Sequence, residues 1–338
     1  MEAELKSSLK EVPFANHTAW KIESETVRKM IMTKLLSAWR VKGRTKHFFP
    51  GPMAVSVTKI NLHNIVTQNY MVCEKSDGER YLLFMTTIES LNIAVFISRS
   101  LEMFLTPFFF DNSVYQNTII DGELISLTST KKWVFMSFDL VCVCGINLKK
   151  NKLPERLTEL HNLLARKYFI SNSDVCGLFM KKFYDISKGN HPAGGAAKQL
   201  DNALNSMKIT YLSDGLIFTP IDLGVMENTH YSLLKWKSSD TIDFQLTSRD
   251  NKKFICILNG SDPEEIQEVV FSEDSSLGKI EDNSIVECKP IVISNKEVKW
   301  EPVLVRHDKD SPNTIMTLER TLQTIRDKID IDYIKSLL

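Results

Sequence analysis

One lysine in this chain stands where a nucleophile could stand. The stretch Glu74-Lys75-Ser76-Asp77-Gly78-Glu79-Arg80 sets a lysine, an acid, a glycine and an arginine at a strand end. Apolar Tyr70-Met71-Val72 precedes it and Tyr81-Leu82-Leu83 follows. Four specified positions recur by chance at about one in 10⁵ per start, so a match somewhere in such a chain has odds of about a few in a thousand. A lysine amine can attack an electrophile and split one difficult group transfer into two easier steps. Taken alone, the stretch also reads as a charged surface hairpin with Asp-Gly at its turn.

Further chemistry-bearing residues follow in a fixed order. Ser98-Arg99 ends a strand, and Asp121-Gly122-Glu123-Leu124 follows apolar Ile119-Ile120. Phe138-Asp139 closes the Val134–Phe138 strand, and Ser213-Asp214-Gly215-Leu216-Ile217 leads another. Leu233-Leu234-Lys235-Trp236-Lys237 puts two lysines on one side of a strand, at the period of two. A single Asp-Gly pair is usually a plain turn. Three of them, each beside a strand and flanked by a carboxylate, a cation or an apolar run, point to a site.

This ordered set resembles the covalent nucleotidyltransferases, which comprise DNA ligases, RNA ligases and mRNA capping guanylyltransferases. Three stretches favour the capping branch. Phe49-Pro50-Gly51-Pro52-Met53-Ala54-Val55-Ser56 is similar to that family's F-P-G-x-x-P-V-S, with Ala54 in place of proline. Lys181-Lys182-Phe183-Tyr184-Asp185-Ile186 is similar to its K-P-F-F-D-I, with Lys182 in place of proline. Trp300 through Arg306-His307-Asp308-Lys309-Asp310-Ser311-Pro312-Asn313 resembles its W…R-x-D-K-x-x-P-N signature. Length and domain plan look most like the single-chain members from large algal DNA viruses.

The resemblance implies a guanylate moved from GTP to a 5′-diphosphate RNA end through a covalent lysyl–GMP. It implies Lys75 as the nucleophile on the α-phosphorus, with Lys235 and Lys237 holding the α-phosphate and offsetting its transition-state charge. A free lysine is neutral in only about one part in 10³ to 10⁴ at pH 7, and neighbouring cations favour the neutral amine. By the same likeness Arg80, Arg99 and Glu123 hold the ribose hydroxyls. Phe138 stacks on guanine, and Lys181 meets its exocyclic oxygen. Asp77 and Asp214 order the cations and a divalent metal, Mg²⁺ or Mn²⁺, whose carboxylate ligands suit departing pyrophosphate. Arg306, Asp308 and Lys309 are placed by the family over the β- and γ-phosphates on domain closure.

The elements that must position these residues read as α+β. An amphipathic helix over 24–40 is capped by Ser24 and carries Val27, Met30, Ile31, Leu35, Ala38 and Trp39 on one face. Strands follow at Tyr81–Met85, Ile93–Ser98, Ile119-Ile120 and Trp133–Phe138. Helices return at Pro154–Tyr168 and, after His191-Pro192-Ala193-Gly194-Gly195, up to about residue 207. Five short strands then suit an oligonucleotide-binding (OB) fold, at Ile242–Leu246, Phe254–Leu258, Val269-Val270-Phe271, Ile285–Cys288 and Val298–Trp300. A helix from Thr314 to about Lys328 follows. The expected plan is a nucleotidyltransferase (ATP-grasp-like, ligase-type) domain of antiparallel sheets and helices over 1–241, then an OB-fold domain with terminal helix over 242–328. Residues 329–338 are placed back on the first domain.

Composition bounds the partners. The 338 residues carry 42 Lys plus Arg against 42 Asp plus Glu, so no global field draws nucleic acid, and phosphate binding must come from local cations. The six cysteines show no C-x-x-C pair, which argues against zinc and for free thiols in a reducing compartment, with Cys142 and Cys144 on one strand face. No apolar run is long enough for a membrane span, and MEAELKSSLKEV lacks a signal-peptide core. The expected setting is intracellular, with nucleus, cytoplasm and a viral factory all open. The expected partners are GTP and 5′-diphosphate RNA, with an RNA triphosphatase, a cap methyltransferase or RNA polymerase beside them and no membrane. An ATP-dependent RNA or DNA ligase would use the same lysyl-nucleotide chemistry, and the Arg306–Asn313 signature argues against it. A non-enzymatic oligonucleotide-binding module is the third reading, and the intact lysines argue against that.

Overall fold

The computed structural model describes residues 2–41, 48–187, 195–207, 211–238, 240–250, 252–269, 280–294, 297–307, 309–327 and 329–338. The chain divides into two compact units, one of 1–55 and 64–236 with Leu338, the other of 56–63 and 237–337. The helix Ile331–Leu337 therefore groups with the second unit.

The first unit is built on a nine-stranded sheet. Its path runs Leu9–Phe14, His17–Ile22, Met103–Thr106, Leu91–Ser98, Glu79–Ile88, Thr118–Ser126, Trp133–Val143 and Ile146–Asn147, with Gly177–Met180 pairing in parallel to Trp133–Val143. Both faces are covered, which is why Tyr81-Leu82-Leu83-Phe84-Met85 is apolar without a break. Leu82 and Phe84 pack with Val27, Ile31, Leu35 and Trp39 of the helix Glu25–Trp39. Tyr81, Leu83 and Met85 pack on the other side with Leu153, Leu157 and Leu160 of the helix Leu153–Arg166. Each such buried side chain contributes about 1.5–3 kcal/mol. Ser24 caps the first helix as expected, its hydroxyl accepting the Val27 N–H at 3.2 Å.

A smaller five-stranded sheet carries Lys75. Its order is Tyr184–Asp185, Tyr70–Ser76, Ser213–Pro220, Thr229–Lys237 and Met53–Ser56. The helix Gly195–Ser206 packs on the Tyr70–Ser76 strand through a face that buries Ala196, Leu200 and Ala203. The preceding His191–Gly194 lies outside the described residues.

The second unit holds five antiparallel strands in the order Asp262–Glu268, Lys252–Asn259, Ile242–Arg249, Ile285–Val292 and Val298–Val305. Ile242, Phe244 and Leu246 alternate into its core against Ile255, Val286, Trp300 and Leu318 of the helix Ile315–Asp327. The third strand differs from expectation. It is the polar run Asp262–Glu268, while Val269 lies beyond it in the core and Val270-Phe271 lies outside the described residues. A hairpin edge solvated on one side needs few apolar residues, so its sequence signal is weak. Two further expectations change. The Trp133 strand does not close at Asp139 but runs on to Val143. Cys144 then leaves the strand at φ +49° and does not share a strand face with Cys142. All six cysteines are free thiols, and only Cys144 is half-buried rather than buried.

Candidate active site

Lys75 is next to last in the Tyr70–Ser76 strand, paired with Ser213–Pro220. Between Ser213, opposite Ser76, and Gly215, opposite Lys75, the register slips by one residue. Asp214 is the extra residue of that β-bulge, and a bulge re-aims its side chain. Its Oδ1 lies 2.6 Å from Lys75 Nζ, and both side chains are partly exposed. Lys235 lies on Thr229–Lys237, the strand beyond Ser213–Pro220, and Lys237 ends that strand two residues on. Both lysines are half-buried.

Phe138 also sits in a bulge. The pairing passes from Ser137–Gly122 to Asp139–Asp121, leaving Phe138 without a partner on the neighbouring strand. It is half-buried and belongs to neither of the apolar clusters that cover the two faces of the nine-stranded sheet. Arg80 and Lys181 both face its ring, at 5.4 and 5.6 Å from the centroid. The next residue, Asp139, is clamped by Arg156 through bonds of 2.7 and 3.0 Å, and Arg156 is 2% exposed. That pair fixes the backbone from which Phe138 projects.

Behind the ring lies a buried polar cluster. Lys181 Nζ donates to Ser76 Oγ at 2.5 Å and to Glu123 Oε2 at 3.1 Å, and the Ser76 hydroxyl donates to the same Glu123 oxygen. Arg80 forms a bidentate pair with Asp121 at 2.9 and 2.6 Å and donates to the Pro52 carbonyl. Burial opposes the charge on Arg80, but Asp121, with Glu123 and Asp139 adding, holds its pKa above the usual value and keeps the guanidinium charged. Phe49, from the Phe49–Ser56 stretch, covers Arg80 on another side at 5.4 Å. Arg99 is exposed and meets Met53 Sδ at 3.7 Å. The groups expected on ribose are thus engaged internally, Arg80 donating to Asp121 and Glu123 accepting from Lys181 and Ser76.

Two glycines are required by close approach. A Cβ on Gly78 would stand 2.5 Å from the Leu124 carbonyl oxygen, and one on Gly122 would stand 2.4 Å from the Phe135 ring. Gly122 and Gly215 lie inside strands, so two of the three Asp-Gly pairs are not turns.

The remaining site residues divide as follows. Asp77 is exposed, its N–H donating to the Leu212 carbonyl at 2.9 Å. Arg306 and Lys309, in the second unit, both pair with Asp243. Asp308 lies outside the described residues. The sequence motifs contain Ser76, Asp121 and Asp139 without giving them a role, and Arg156 and Asp243 stand outside every motif. Asp121 and Asp243 were legible in principle, because a carboxylate inside an apolar strand needs a cation beside it. Glu74 is buried beside the nucleophile and accepts a hydrogen bond from the Tyr211 hydroxyl. Burial and that carboxylate raise the Tyr211 pKa, so it stays a neutral donor.

No group of three or more His, Cys, Asp or Glu able to hold a metal occurs among the described residues. Magnesium is commonly bound by one or two carboxylates plus substrate phosphates, and Asp214 beside Lys75 meets that description, with the exposed Asp77 as the second candidate. The donor set fits an ion arriving on the nucleotide, not a dedicated protein cage. No helix among the described residues is long and apolar enough to cross a membrane.

The sequence profile of "mRNA capping enzyme, catalytic domain" matches residues 17–239, more than half of the chain. This chain belongs to the mRNA capping enzyme family. The family's C-terminal domain profile matches residues 226–334. An mRNA-capping enzyme subunit alpha of Yarrowia lipolytica is 26% identical, over 86% of this chain and 82% of the relative. One of Schizosaccharomyces pombe is also 26% identical, over 86% and 80%. An mRNA-capping enzyme of Caenorhabditis elegans is 23% identical over 92% of this chain but 52% of its own length. A solved mycobacterial DNA ligase D complexed with ATP and MES is 14% identical over 77% of this chain and 96% of its own, with a TM-score of 0.45. These relatives are fungal and nematode, so the likeness of this capping enzyme to viral members rests on length and motifs alone.

Proposed function

We infer that this capping enzyme is an mRNA guanylyltransferase that transfers GMP from GTP to the 5′-diphosphate end of RNA and releases pyrophosphate. The observation that carries the reading is Lys75 Nζ held 2.6 Å from a carboxylate, in a chain of this family. Asp214 is within reach to take the proton that the amine sheds. The Lys75 nitrogen then bonds to the α-phosphorus as the bond to the bridging oxygen breaks, and pyrophosphate departs with the electron pair. In the second step a terminal phosphate oxygen of the RNA attacks the same phosphorus. The phosphorus–nitrogen bond breaks, and Lys75 recovers its proton.

Lys235 and Lys237 supply positive charge to the α-phosphate in both steps. The half-exposed Phe138 ring offers a face for guanine, and Lys181 an ammonium for its six-position oxygen. Glu123, Arg80 and Arg99 bound the ribose end, the first two exchanging an internal partner for a hydroxyl. A divalent ion, when bound, would neutralise phosphate charge, with Asp214 as its protein ligand and Asp77, just beyond Lys75 in the chain, as the second candidate. The substrate RNA carries a diphosphate, so an RNA triphosphatase must act first, and a cap methyltransferase would act after.

The test offers diphosphate-ended RNA with α-labelled GTP or ATP. Label should enter RNA as a GpppN cap from GTP alone. Label from ATP, with sealing of a nicked strand, would establish the ligase reading instead.

A further inference from the structure

Three members of the Arg306–Asn313 signature close on one residue that the signature does not contain. Asp243 is second in the strand Ile242–Arg249, between two core residues, so by alternation it faces away from that core. It is nonetheless buried, its side chain 8% exposed. Oδ1 accepts from Arg306 Nη1 at 3.1 Å, and Oδ2 accepts from the Lys309 ammonium. The Asp243 backbone is held too. Its N–H donates to Asn313 Oδ1 at 2.9 Å, and its carbonyl accepts the Asn313 N–H at 2.7 Å. Glu287 adds a second acid 3.5 Å from Arg306.

An arginine and a lysine three residues apart in a loop repel each other and would ordinarily spread into solvent. A buried carboxylate with one oxygen for each offsets that repulsion and sets their separation. Asn313 locks the carboxylate's own backbone, so the separation is defined before any ligand arrives. Two cations at a fixed spacing match a polyanion with several phosphate oxygens, and holding them in advance lowers the ordering cost of binding it.

We propose that Asp243 is a positioning residue for adduct formation, holding Arg306 and Lys309 as a preset pair for the pyrophosphate end of GTP. The proposal rests on the reading that those two cations serve the β- and γ-phosphates, which exist only in the first half-reaction. Asp243 itself touches no reacting atom.

The experiment is single-turnover kinetics of adduct formation and of transfer from isolated enzyme–GMP. It compares the wild type, Asp243→Asn, the double variant Arg306→Ala/Lys309→Ala, and the triple variant. Asp243→Asn should slow adduct formation about 10- to 100-fold, mostly through the GTP concentration required, and leave transfer within about twofold. Added to the double variant, Asp243→Asn should cost nothing further, because residues acting through one another are not additive. Asp243→Glu should recover part of the loss, and it takes the place of Asp243→Asn in the cycle if that variant does not fold. A full multiplicative loss in the triple variant would overturn the proposal. So would equal losses in both half-reactions for Asp243→Asn while the double variant stays selective. If the double variant itself slows both steps equally, the phosphate reading of Arg306 and Lys309 fails, and the proposal with it.

Discussion

Phe138 and Lys181 divide the recognition of the base between shape and charge. The ring is half-buried and outside the apolar clusters on both faces of the nine-stranded sheet, so its removal should leave that packing nearly intact. Phe138→Leu should raise the GTP requirement by about 1–3 kcal/mol, the worth of stacking a base on an aromatic face. Titration of adduct yield against GTP checks it, and an unchanged requirement would return Phe138 to a packing role. Lys181 is 3% exposed and presents an ammonium beside that ring. Guanine offers an acceptor at its six position and adenine a donor, so Lys181→Ala should narrow the preference for GTP over ATP by about 1–3 kcal/mol. Adduct yields with the two nucleotides measure it, and weaker GTP use at unchanged preference would remove Lys181 from the guanine edge. Residue types and their order were enough to nominate both side chains. The pairings around them were hidden, because Ser76 meets Lys181, Asp121 meets Arg80 and Arg156 meets Asp139 only through the fold.

At the scale of elements, bulges decide where the chemistry points. Period-two alternation assigns each strand residue a face, and an extra residue shifts every assignment beyond it. Asp214 and Phe138 are both such extra residues, so their orientation was not legible in the sequence although their neighbourhoods were. The strands and helices themselves were legible wherever both faces of a sheet are buried or a helix carries a clear stripe. They were missed at the hairpin Leu9–Phe14 with His17–Ile22 and at the polar strand Asp262–Glu268. The Phe138 bulge is braced by Arg156 on Asp139, a pair drawn from a helix and a strand. Arg156→Gln should lower stability by about 3–5 kcal/mol, because the Asp139 carboxylate loses its buried partner. Denaturant unfolding checks the loss. Asp139→Asn added to Arg156→Gln should return part of it, and a strictly additive further loss would contradict the clamp.

For the whole molecule, stability and activity give separate readouts. His230 is 4% exposed, and burial holds its pKa below the ordinary 6.5. The unfolded chain therefore binds the proton more readily than the folded one between those two values. Stability should rise with pH across that window and level off above about 6.5. His230→Gln should flatten this slope in thermal unfolding between about pH 5 and 7, and an unchanged slope would place the acid sensitivity elsewhere. Family membership was legible because three motifs spread over the chain agree in order, while the internal pairings that prepare each motif were not. GMP transfer turns on Lys75 Nζ as the atom that carries the guanylate, and labelling from α-labelled GTP tests this most directly. The protein should take up label that survives denaturation, lose it on addition of pyrophosphate, and yield a single labelled peptide containing Lys75. Lys75→Ala should fold with an unchanged unfolding transition and take up none. Equal labelling of Lys75→Ala, or label mapped to another residue, would contradict the account.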